Sequence, residues 1–366
     1  MYMIRVDWLI TGLNIVGGAE VFTSQFANYL SARDIQLRVI TLRSGGDLIN
    51  SLRKQGIPVV VIGVNNKQNP LPLLRLYRLW KTSPPLILHT HLYHAGIIGR
   101  LIARFAGIPH VIVHQHGAEN ARSALRSVID RATSWMVEQY IVPSEAVKEI
   151  VNRRERVPVS KIKVIHYGVD TEKYQASVPI TGLSIPSGVP VIGSVSRLAK
   201  EKSHPVLLQA LHLLKQENEQ FHAIMVGDGP ERIKLEELSR IHEIHGLITW
   251  AGFQRNVESW LAHFDIFVLA SAWEGLPISI LEAMAAQLPV VATAVGGTPE
   301  AVVTDKTGIL VPPNDPEKLA KALISLLRDP SLRLKMGIAG YTRVKECFSV
   351  ESAVENIYQL YISLTG

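Results

Sequence analysis

Short apolar runs alternate with helix-patterned stretches along this chain, and after one interruption the alternation begins again. That periodicity restricts the fold more than any single motif does. In the first half, "MIRVDWLIT", "QLRVITL", "PVVVIGV", "LILHTH", "HVIVHQHG", "QYIVPS" and "KIKVIHYG" read as strands. Stretches such as "GAEVFTSQFANYLSAR" and "HAGIIGRLIARFAG" lie between them with helical spacing. Strands that are apolar throughout are buried on both faces, and strands separated by helices pair in parallel under a helical cover. Residues 175–188, "QASVPITGLSIPSG", lose the pattern and are rich in Pro, Ser and Gly, as a linker is. Then "PVIGSVSRL", "FHAIMVGDG", "LITWAG", "DIFVLAS" and "LPVVATAVGG" resume it. The expected class is α/β: two doubly wound, Rossmann-like domains, residues 1–175 and 176–349, facing across a cleft. Ligands of such sheets bind beyond the carboxyl ends of the strands.

The bulk numbers agree with two globular domains. The 366 residues exceed one comfortable core, and 47% hydrophobic with 19% charged residues excludes a disordered chain. No apolar run reaches 18 residues, so no membrane-spanning helix is expected. The first residues read as a strand and not as a signal peptide, and the single Cys347 leaves no internal disulfide and no cysteine cage for a metal. A cytoplasmic protein is expected. Charge is uneven: residues 1–175 hold 22 Lys and Arg against 12 Asp and Glu, and the remainder 16 against 20. A basic half suggests an anionic partner, with nucleic acid, a phosphorylated substrate and an acidic membrane surface all qualifying.

One stretch concentrates chemistry. "SAWEGLPISILEAMAA" follows the strand-like "DIFVLAS" and sets Glu274 and Glu282 around Gly275, Leu276 and Pro277. Pro277 suits a helix start and "ISILEAMAA" continues it. The N–H groups of Gly275, Ile278 and their neighbours would then face anions or polar oxygens. An ordinary helix start with acidic neighbours is the plainer alternative.

Other strand ends carry further candidates. Gly17-Gly18 stands between the first strand and its helix, without a GxGxxG pattern. Arg197 and Lys202 leave the first strand of the second half together, where Arg can clamp a phosphate and Lys adds a point charge. Gly227 and Gly229 bracket Asp228, Gly296-Gly297 ends another strand, and Thr298 should cap the helix that follows. The histidines His89, His91 and His94 invite a metal, but no local carboxylate or cysteine completes a set, so no metal is expected. His116, beside Gly117, is the histidine best placed for a polar contact.

Taken in order, these residues resemble the retaining glycosyltransferases of family 4, which have the GT-B fold. "EGLPISILE" looks like their E-x7-E signature, and Gly17-Gly18-Ala19-Glu20, His116-Gly117, "VIHYGVD", Arg197 with Lys202, "VGDGPER" and "AVGGTPE" extend the likeness over essentially the whole chain. Two positions depart: Ser203 stands where the family often has Gly, and Tyr167 where it often has Asn. The resemblance implies a hexose moved from a nucleotide-diphosphate sugar to a hydroxyl of a glycan or lipid-linked glycan, without a cofactor. It implies Arg197, Lys202, Glu274 and His116 in catalysis. Gly17, Gly18, Gly227, Gly275, Leu276, Ile278 and Glu282 would bind the donor, with Glu282 on the ribose and Glu274 on the sugar. A terminal helix near 350–366 would cross back onto the first domain. The basic first half would permit peripheral contact with an anionic inner leaflet. Another sugar-nucleotide enzyme (epimerase or hydrolase) and a non-catalytic sugar-nucleotide-binding protein remain as alternatives, and nucleic-acid binding explains none of the strand-end motifs.

Overall fold

The computed structural model describes residues 3–13, 18–65, 69–117, 124–183 and 185–366. The chain forms two compact units, residues 1–167 with 350–366, and residues 168–349.

The first unit holds seven parallel strands: β1 (Ile4–Ile10), β2 (Ile35–Thr41), β3 (Val59–Val61), β4 (Ile87–His91), β5 (His110–His114), β6 (Gln139–Val142) and β7 (Ile162–Val164). Their order is β3-β2-β1-β4-β5-β6-β7, so the winding reverses between β1 and β4. Side chains alternate across the sheet. Leu9, Ile40 and Leu88 pack with Leu76, Trp80 and Ala103 of two covering helices. Asp7 sits among them, buried, held by Arg38 through two hydrogen bonds (2.9 and 2.7 Å) and by Trp80 Nε1 (2.8 Å). Burial raises its pKa, against the lowering effect of Arg38.

The opposite face carries Trp8, His89, His91 and His114, all buried. The helix Gly18–Ser31 covers it with Phe22 and Phe26. The helix Val350–Thr365 contacts Gly18–Ser31 and completes this layer. Its Tyr361, fully buried, accepts a hydrogen bond from Trp8 Nε1 (2.8 Å) and pairs with His89 Nδ1 (2.5 Å). Tyr361→Phe leaves both nitrogens buried without that oxygen. It should cost about 2 kcal/mol, read as a lower urea midpoint at unchanged slope.

The second unit holds six parallel strands: β8 (Val191–Val195), β9 (His222–Val226), β10 (Ile248–Gly252), β11 (Ile266–Leu269), β12 (Val290–Thr293) and β13 (Gly308–Val311). Their order, β10-β9-β8-β11-β12-β13, repeats the same reversal, now between β8 and β11. Leu207, Leu211, Ile266, Val291 and Leu323 are among its core.

The first unit ends at residue 167, before the boundary of 175 expected from sequence. The intervening helix Thr171–Gln175 serves the second sheet. Gln175 Nε2 donates to the Ala285 carbonyl (2.6 Å), and Lys173 pairs with Glu258 (3.0 Å). A composition-based linker marks where the pattern fades, whereas the physical boundary lies where contacts change partners.

Candidate functional site

In a parallel sheet all carboxyl ends share one edge. At that edge of the second unit four loops follow β8, β9, β11 and β12. Backbone hydrogen bonds lash them together: Leu198 N–H to the Asp228 carbonyl (3.0 Å), Ala272 N–H to Glu201 (2.8 Å) and Gly297 N–H to Gly275 (2.9 Å). Two glycines make this possible. Gly227, at φ +133°, lies where a Cβ would meet the Ser196 carbonyl oxygen at 1.9 Å, and Gly296, at φ +52°, where it would meet that of Glu274 at 1.8 Å. Gly227 thus permits the loop approach, a role that needs no contact with a ligand.

Lys202 and Glu274 meet on these loops. Lys202 Nζ donates to Glu274 Oε1 at 2.6 Å, and Ser271 Oγ donates to the same oxygen at 2.6 Å. The pair is largely shielded from solvent. Arg197, on the same loop as Lys202, is exposed, and no side chain among the described residues pairs with it. Ser203, after Lys202, has φ +48° and makes no capping bond with its side chain. That conformation favours glycine. Ser203→Gly should therefore raise stability by about 0.5 kcal/mol, visible as a small rise in Tm.

The helix after Glu274 spans Ile278–Ala285, with Pro277 extended just ahead of it. Leu276 is buried, and among the described residues no acceptor is paired with the N–H of Leu276 or Ile278. Those donors and the helix dipole suit an anion or sugar oxygen. Glu282 lies one turn inside. Tyr174 Oη donates to its Oε1 at 2.8 Å, and burial raises its pKa against that hydrogen bond. Tyr174→Phe should free the Glu282 carboxylate to wander. If Glu282 holds a ribose, KM for the donor rises about tenfold with kcat little changed. Thr298 is the first residue of its helix; Gly297 occupies the capping position instead.

In the first unit, Gly17 lies outside the described residues, and Gly18 begins the helix Gly18–Ser31. His116 follows β5. Tyr167 Oη donates to the His116 carbonyl (3.2 Å) and so accepts from His116 Nδ1 (2.8 Å). His116 Nε2 pairs with His91 Nδ1 (3.0 Å). Both ring nitrogens are occupied, and burial lowers the pKa to about 3, so the ring is neutral. Sequence reasoning missed the Tyr167 contact, because 51 residues separate the partners. The metal-suggestive trio also regroups: His114 of β5, and not His94, joins His89 and His91.

Residues 181–343 match the family model described as Glycosyl transferases group 1, and residues 16–173 that described as Glycosyltransferase Family 4. The UDP-Gal:alpha-D-GlcNAc-diphosphoundecaprenol alpha-1,3-galactosyltransferase of Escherichia coli is 26% identical, over 96% of this chain and 95% of that one. A D-inositol 3-phosphate glycosyltransferase of Streptomyces avermitilis is 25% identical, over 96% and 84%. Among solved structures, Anabaena HepE in complex with UDP-glucose superposes with a TM-score of 0.85 at 22% identity, covering 98% of this chain and all of that one.

Proposed function

The chain belongs to the glycosyltransferases of family 4, with the GT-B fold, and from that premise we propose that it transfers a hexose, with retention of configuration, from a nucleotide-diphosphate sugar to a hydroxyl of a glycan or lipid-linked glycan. The observation that carries this reading is the Lys202–Glu274 pair beside the open N–H groups of Leu276 and Ile278. Two charges of opposite sign, held on adjacent loops, can take a diphosphate and a sugar side by side. The E. coli relative uses UDP-galactose by its name, and HepE holds UDP-glucose, which favours a UDP-hexose here.

Lys202 has three N–H donors and spends one on Glu274. The others, with Arg197, would neutralise the diphosphate as the bond from the sugar C1 to the phosphate oxygen breaks. Charge is then stabilised where it develops, and the transfer needs no metal. Glu274 would hold hydroxyls of the transferred sugar, and Glu282 those of the ribose. Gly17 and Gly18 would offer backbone donors to the diphosphate. With both ring nitrogens engaged, His116 would meet the sugar through its ring edge or backbone. The acceptor oxygen would attack C1 on the face the diphosphate leaves, and its proton would pass to the departing phosphate oxygen. The protein would work in the cytoplasm, its basic first half resting on an anionic leaflet at about 1 kcal/mol per charge. No described helix is long and apolar enough to cross a membrane.

Thermal stabilisation by UDP-, GDP-, ADP- and dTDP-sugars, each with and without chelator, tests the donor site. A rise selective for one base that survives chelation is expected. No shift with any donor at high concentration would put the catalytic reading behind that of a non-catalytic relative.

A further inference from the structure

We propose that His89, His91 and His114 of the first unit bind one transition-metal ion of the zinc class. His89 and His91 are two residues apart on β4, so they share a face of the sheet. His114 lies directly beside His91 on β5 in the parallel register, and shares that face too. One ring nitrogen from each comes within 4.8 Å of the other two. All three side chains are buried, at 0%, 0% and 1% exposure.

The hydrogen-bond inventory is what asks for a guest. Among the described residues, His89 Nε2, His91 Nε2 and both nitrogens of His114 have no partner. Buried polar atoms are rarely left so, and several orphans in one place call for a water or an ion. The far nitrogens are not orphaned: His89 Nδ1 faces Tyr361 Oη, and His91 Nδ1 faces His116 Nε2. A metal-bound histidine is normally held in this way, its second nitrogen fixed by a hydrogen bond that sets the ring and its tautomer. With Tyr167 donating to the His116 carbonyl, the proton between His91 and His116 sits on His91 Nδ1. The Nε2 of His91 is then a bare lone pair, as a ligand must be.

Three imidazoles suffice for zinc without cysteine or carboxylate when a water molecule takes the fourth position. Zn–N bonds of about 2.0–2.1 Å bring tetrahedral ligand nitrogens to about 3.3 Å, so binding draws the rings together by small side-chain rotations. A water molecule is the competing guest. It would satisfy some of the same atoms but would not select among metals.

The test uses untagged protein, refolded with excess Zn2+ or Co2+ and desalted, with metal content measured against protein. About one equivalent per chain is expected, with the visible absorption of tetrahedral Co2+ in the cobalt form. His114→Ala should fall to a background level, and His94→Ala, outside the trio, should keep its metal. If His114→Ala does not fold, His89→Gln replaces it, with circular dichroism as the check on folding. Wild-type protein without bound metal, or folded His114→Ala and His89→Gln variants that keep a full equivalent, would overturn the proposal.

Discussion

Lys202→Ala is expected to lower kcat/KM for the sugar-nucleotide by roughly 100- to 1,000-fold, the range seen when one donor to developing charge is removed. Two losses coincide. The diphosphate loses a cation, and Glu274 loses the ammonium that holds Oε1 at 2.6 Å. Among the described residues, Ser271 is then left to position that carboxylate. Stability should fall as well, by about 1.5–3 kcal/mol, since hydrogen bonds to charged groups are worth that much and the carboxylate is largely buried. The double variant Lys202→Ala/Glu274→Ala separates the two effects. It leaves neither charge unpaired, so stability should partly recover while activity does not. Near-normal turnover by folded Lys202→Ala would remove Lys202 from the diphosphate.

Acid should weaken the second unit through His204. This side chain is buried at the start of the helix His204–Gln216, with Nε2 2.9 Å from Ser196 Oγ. Burial first, and Lys202 second, lower its pKa from 6.5 to about 4. The folded protein therefore holds it neutral where the unfolded chain would bind a proton. Above pH 6.5 its contribution is complete; between 6.5 and about 4 stability is lost as pH falls. The slope is about 1.4 kcal/mol per pH unit, and the total about 3 kcal/mol. Asp7 and Glu282 act in the opposite sense, because burial raises their pKa and acid favours their folded, neutral form. The measurement is therefore differential: urea unfolding of wild type and His204→Phe at pH 7.5 and 4.5. The variant should lose less stability on acidification. Equal losses would show that His204 titrates normally in the folded protein.

The sheet architecture was legible because its signal is local. Each strand of the two parallel sheets is a short apolar run, and the helices between them keep their own period. The pairing of Lys202 with Glu274 was half legible: sequence placed both at strand ends, but not the reversal of strand order that makes β8 and β11 neighbours. Tyr167 on His116 and His114 beside His91 were beyond reach, since cross-sheet contacts leave no periodicity. The same reason hid Tyr174, which a composition rule assigned to the wrong side of a linker and which in fact bonds Glu282. Thr298 failed differently. Its type suits a cap, yet the preceding Gly297 is already tied to Gly275, and the helix begins one residue earlier than a capping threonine needs.

The first unit is interrupted in sequence: residues 168–349 separate its bulk from the helix Val350–Thr365. During synthesis Trp8 and His89 must wait for Tyr361, which the ribosome delivers only after the entire second unit. The second unit, being continuous, has everything it needs earlier. Domains fold as units in the order their parts emerge, so the first-made half is the last to close. Until then its histidine-lined face stays accessible, a window in which an ion could enter and in which a chaperone would find its binding surface.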